Sequence, residues 1–184
     1  MNARSLQLFF LFTFCFLSCA QTETDEKKTY ALKFTDVDGN ELSTADGHVT
    51  LLAFVNSGQV DKAQTVGDRV PEFCLGNSGY RMITVVETKN HSGPLRRAFE
   101  SVARHRLDAA AKRLQTRYDK KKIARNARHD VFAVIDFGGT IGAKFADQSA
   151  RPDFRVVVLR GNGDLRQQWL ELPASKQLAA ALSN

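Results

Sequence analysis

Residues 49–55, V-T-L-L-A-F-V, form a run that is apolar but for Thr50 and shows no alternation. A strand with one face in water alternates polar and apolar residues, so this run belongs to a strand covered on both faces, as in the parallel sheets of α/β proteins. The flanking patterns agree. Helix signals run from about Val60 to Leu75, Arg81 to Glu87 is β-branched and central in character, and Asn90 to Pro94 reads as a helix entry with proline near its first turn. From Leu95 onward Phe99, Ala103, Leu107, Ala110, Leu114 and Tyr118 recur every three or four positions, which predicts a long helix with one apolar stripe.

Shorter signals complete the order. Tyr30 to Thr35 alternates and D-V-D-G-N at 36–40 turns it; Val131 to Ile135 is a short strand. Phe154 to Leu159 and Leu165 to Trp169 flank R-G-N-G-D, whose Asn-Gly step favours a tight hairpin, and Ala174 to Leu182 closes as a helix. Alternating strands and helices predict a parallel sheet with helices on both sides and an antiparallel edge. The chain's 184 residues, 43% apolar, suit one domain with a core of its own.

The N-terminus has a separate logic. Residues 1–20 combine Arg4, a run from Leu8 to Leu17 that is apolar but for Thr13, and small residues at Ser18 and Ala20, which marks a secretory signal. Two ends of that signal are readable. General cleavage after Ala20 gives a mature start at Gln21, whereas F-L-S-C resembles a bacterial lipobox, with a signal over 1–18 and Cys19 as the lipidated residue. The polar residues 21–29 then form a tether that holds the domain, residues 30–184, within about 30 Å of the membrane. Either cut leaves Cys74 as the one cysteine of the folded part, so the mature domain has no internal disulfide. A lone cysteine is most often a small buried hydrophobe.

The element order, with D-V-D-G-N-E-L-S before L-L-A-F-V-N, then V-F-A-V-I-D-F-G-G-T-I-G-A-K-F-A at 131–146 and the hairpin F-R-V-V-V-L-R-G-N-G-D-L-R-Q-Q-W, resembles the redoxin-type members of the thioredoxin-like superfamily. The resemblance covers Tyr30 to Asn184. It implies an α/β fold with a central mixed sheet flanked by helices, here with an extended basic helical segment. It also implies a Cys-x-x-Cys motif at the start of the helix after the core strand, where the helix N-terminus makes a thiol into a thiolate.

The matching positions here are Asn56, Ser57, Gly58, Gln59 and Val60, and they hold no sulfur. The peroxiredoxin-like positions are Asp61, Lys62 and Ala63, also without sulfur. Ser57 reads as a helix N-cap or turn residue with no base beside it. Pro152 stands near the place of the family's cis-proline but about two residues early, with Asp153 or Phe154 in its stead. Cys74, the weak remaining candidate for catalysis, falls near the far end of the expected helix, where the dipole disfavours a thiolate.

Other constellations carry less. Asp36, Asp38 and Asn40 lack the later glycine and glutamate of a calcium loop and read as a turn, as does D-F-G at 136–138. His48, His91, His105 and His129 share no metal-ligand spacing, and nothing points to a metal or cofactor. Leu95 to His129 stands out: twelve Lys or Arg against three acids, net +9, while the rest of the chain beyond residue 20 is net −4. Arg113, Arg117, Lys120, Lys121, Lys122 and Arg125 are its candidate contacts for an anionic partner.

The sequence therefore predicts an exported, membrane-anchored domain without canonical thiol-disulfide chemistry that acts as a binding or scaffold module, periplasmic or outer-membrane if bacterial and otherwise secreted. Its partner is an envelope protein or an anionic membrane surface. Nucleic acid is disfavoured by the export signal. The alternatives are an oxidoreductase or peroxidase using Cys74 alone, and an electrostatic adaptor working through the basic helix.

Overall fold

The computed structural model describes residues 28–146 and 153–183. The signal with Cys15 and Cys19, nearly all of the tether, and Pro152 lie outside the described residues.

In chain order the elements are β1 (Lys33–Thr35), β2 (Glu41–Ser43), β3 (Val49–Asn56), α1 (Val60–Arg69), β4 (Tyr80–Thr88), α2 (Gly93–Lys121), β5 (Val131–Phe137), β6 (Phe154–Leu159), β7 (Leu165–Trp169) and α3 (Ser175–Leu182). The apolar run becomes β3, the centre of a five-stranded mixed sheet ordered β5-β4-β3-β6-β7. β3 runs parallel to β4 and antiparallel to β6, and β4 runs parallel to β5. Leu52 and Ala53 of β3 have no exposed surface. Burying one such leucine stabilises the fold by about 2 kcal/mol, which is why the run tolerates no polar alternation.

Residues paired across a parallel ladder point to the same face. The register Met82↔Val131 and Thr84↔Ala133 thus puts Val131, Ala133 and Ile135 on the face that carries Met82 and Val86. α1 and α3 pack on this face through Ala63, Val66, Leu178 and Leu182, and α2 packs there through Leu107 against Ala133. The opposite face carries Leu52, Phe54, Ile83, Val85 and Val134. It is covered by Leu32 and Leu42 at the N-terminal hairpin and by Phe145 of a 3-10 turn, Gly142–Phe145, on which Tyr30 stacks at 4.3 Å. β1 and β2 form a separate two-stranded antiparallel sheet, and β2 is too short to have shown a period.

Two expectations change. The helix expected to reach Leu75 ends at Arg69, because Val70 precedes Pro71 and adopts an extended backbone at φ −57° and ψ 127°. The long helix forms as expected, with Ser92 as its N-cap and Pro94 in its first turn, but its stripe is divided. Leu107, Ala111 and Tyr118 are buried, whereas Phe99, Ala103, Ala110 and Leu114 are half-buried. No helix among the described residues is long and apolar enough to cross a membrane.

Candidate functional site

The turn from β3 into α1 is built by Asn56. Its Oδ1 accepts from the Gly58 amide at 3.0 Å, and its carbonyl accepts from the Gln59 amide at 3.1 Å. Gln59, not Ser57, is the N-cap, and no side chain caps the helix. Ser57 and Gly58 are exposed in the turn, and the Ser57 hydroxyl has no hydrogen-bond partner among the described residues. A serine without a base is a poor nucleophile, so the turn holds neither a thiol nor an activated hydroxyl.

Cys74, the only cysteine among the described residues, lies beyond α1 in a 3-10 turn, Glu72–Cys74. It is 8% exposed and packs in the same cluster as Leu51, Ala63 and Val66. Burial pushes its thiol up to about 11. At neutral pH that leaves about one molecule in ten thousand as thiolate, the reverse of what exchange chemistry needs.

The six basic candidates separate into two groups. Arg117 donates to the carbonyls of Gly67 at 2.9 Å and Val70 at 2.8 Å, Lys121 pairs with Glu72 at 2.6 Å, and Arg125 pairs with Asp130 at 2.7 Å. Arg113, Lys120 and Lys122 are exposed and unpaired among the described residues. Lys122 also ends α2 in a left-handed conformation at φ 55°. Arg104 and Arg128 are likewise held internally, both at Asp38.

Between α1 and α2 the structure opens a cleft of about 600 Å³. Its floor is Tyr80, Met82, Thr84 and Val86 of β4 with Ala133 and Ile135 of β5. α1 contributes Ala63, Gln64 and Gly67 to one wall; α2 contributes Phe99, Val102, Arg106, Ala110 and Arg113 to the other. Ser57 and Val60 line it near the end of β3, and Cys74 and Gly76 line it near the start of β4. Sequence reasoning missed this cleft. The signal was there in α2, where Leu95, Phe99 and Val102 form a second apolar flank and Arg106 and Arg113 follow at heptad spacing.

Two buried carboxylates are structural. Asp36 accepts from the amides of Asp38 and Asn40, and Asp136 accepts from those of Thr140, Ile141 and Gly142 at 2.7–2.9 Å, so both hold turns. No group of three potential metal ligands occurs among the described residues.

No protein-family model matches this sequence, and no curated protein matches it. Solved structures do. A secreted thiol-disulfide isomerase from Corynebacterium glutamicum is 12% identical, with 84% of this chain and 82% of that one covered at a TM-score of 0.50. A DsbF homologue from Corynebacterium diphtheriae is 10% identical, with 87% and 88% covered at a TM-score of 0.51. At such identities the likeness is one of fold: the chain has the thioredoxin-like fold, without Cys-x-x-Cys at the turn into its first helix.

Proposed function

We propose that this chain is an exported, membrane-tethered thioredoxin-like domain that acts as a binding module in the cell envelope and performs no thiol-disulfide exchange. One observation carries the reading. The positions Asn56 to Val60, where this fold would present a thiolate, have no sulfur, and the nearest cysteine in sequence is buried with its thiol pushed up to about 11. Export is supported by the signal pattern over residues 1–20 and tethering by the lipobox-like F-L-S-C ending at Cys19. The test is disulfide reduction by the purified full chain with dithiothreitol as electron donor. No turnover above the uncatalysed rate is expected, and turnover abolished by Cys74→Ser would overturn the reading in favour of a single-cysteine oxidoreductase.

A second reading, an adaptor for anionic membrane surfaces, is favoured by the unpaired Arg113, Lys120 and Lys122. Each cation near such a surface contributes up to about 1 kcal/mol at low salt. Binding to phosphatidylglycerol vesicles that weakens with salt and with reversal of these three charges would support it. Indifference to both would remove it.

A further inference from the structure

We propose that the cleft between α1 and α2 is a binding site for a long-chain carboxylate, with the acyl chain along the floor and the acid at the arginines of α2. The proposal rests on the reading of the domain as a binding module and names its ligand class.

Three features of the cleft carry it. First, its size and lining suit a small apolar guest: about 600 Å³, with Met82, Val86, Ala133 and Ile135 beneath. Ligand sites of this kind run to roughly 300–1,000 Å³, mostly apolar with a few placed polar groups. Second, the cleft is long. From Phe99 to Arg113 the α2 wall extends about 21 Å at ~1.5 Å per residue. From Tyr80 to Val86 the floor extends about 20 Å. That is roughly the reach of a sixteen-carbon chain of ~1.5 Å bonds.

Third, the α2 wall changes character along its length. Phe99 and Val102 lie at one end; Arg106 and Arg113 follow, one heptad apart and so on the same flank. Neither arginine has an ion pair or hydrogen bond among the described residues, and both are exposed. Arg117, further along, is occupied by the α1 carbonyls and fixes that end of the wall. An apolar half that leads to two unpaired guanidiniums complements an apolar tail that ends in an anion, and a guanidinium pairs with a carboxylate through two parallel hydrogen bonds. Asp61 and Asp68 on α1 also line the cleft and are exposed, and Asp130 lines it while bonded to Tyr118 and Arg125.

Sodium palmitate, kept below its micellar range and titrated into the full chain by calorimetry, is the test. One-to-one saturable binding is expected. Val102→Asp alters a residue that is 54% exposed, so the fold is spared while a charge enters the apolar end; it should weaken palmitate by about tenfold or more. The double variant Arg106→Glu, Arg113→Glu should weaken it by at least about tenfold while leaving hexadecanol, which lacks the acid, unaffected. Any affinity of the apolar N-terminal residues is common to all these proteins and cancels in the comparison. The absence of saturable binding, or binding that survives both variants, overturns the proposal. A palmitate-independent dimer that Val102→Asp dissolves also overturns it, because a second copy then fills the cleft. Disulfide reductase activity would sink the binding-module reading on its own, whereas loss of this proposal leaves that assay silent.

Discussion

The guanidinium of Arg117 on α2 donates to the carbonyl of Gly67 on α1 at 2.9 Å, and its second nitrogen reaches the Val70 carbonyl at 2.8 Å. Both carbonyls sit where α1 ends, so a residue fifty positions away in sequence caps a helix stopped short by Pro71. The same contact spans the cleft and ties its two walls together.

Arg117→Ala should therefore lower stability by about 2 kcal/mol, since charge-assisted bonds to half-buried carbonyls are lost and the carbonyls are left unpaired. Arg117→Lys should recover only part of this, because an ammonium has no planar fork to serve two acceptors. Urea denaturation of the three proteins checks both expectations.

Tyr118 is 2% exposed, accepts from the Gly76 amide at 3.0 Å and donates to Asp130 at 2.9 Å. Burial, reinforced by the Asp130 carboxylate, pushes its hydroxyl up to about 12. Tyr118→Phe keeps the ring and should cost about 1–2 kcal/mol through the orphaned Gly76 amide and the bond lost to Asp130, whose carboxylate keeps Arg125. A raised folded value means that the stabilisation is full below the ordinary tyrosine range and is lost as pH climbs through about 12. Wild type should thus lose its advantage over the variant in alkaline unfolding.

Asp46 behaves in the opposite sense. Partial burial alone would raise its carboxyl, but hydrogen bonds from Arg81 at 3.0 Å and His48 at 2.8 Å, with their charges, bring it down to about 2. A depressed folded value gives stability that is present above the ordinary value of 3.8 and lost as pH falls towards about 2. Asp46→Asn should be less stable than wild type at pH 7, and the gap should close between about pH 4 and pH 2 in acid titrations followed by circular dichroism.

At about pH 8.5 Cys74 should resist iodoacetamide in the native protein and react readily in 6 M guanidinium chloride, because both its burial and its raised value disappear on unfolding. Intact mass spectrometry reads the difference. The same spectrum reports the cleavage site and any lipid on Cys19.

Much of the architecture was legible because it depends on local pattern. The run from Val49 to Val55 could only be a covered strand, Pro94 marked the start of α2, and Asn162-Gly163 marked the last hairpin. The missing sulfur at Asn56 to Val60 was legible too, since it depends on sequence order alone. What escaped depends on distance in space. Nothing near Arg117 reveals that its partners are on α1, so it looked as available as Arg113. The cleft escaped for the same reason, because half of the apparent core stripe of α2 faces an opening whose width is set by how two helices sit on β4 and β5. β2 was lost to its brevity.

α2 is fastened unevenly. Leu107, Ala111 and Tyr118 hold its second half, while Ser92 to Ala98 are exposed and the first turns rest on contacts such as Arg96 over the Phe137 ring at 4.2 Å. A rod pinned at one end would open as a door on its hinge, with the strain falling on its first turns. Amide hydrogens from Leu95 to Val102 should exchange faster than those from Leu107 to Lys121 within one continuous helix. On the proposed binding role, such an opening would widen the cleft without loosening the structure that holds the domain together.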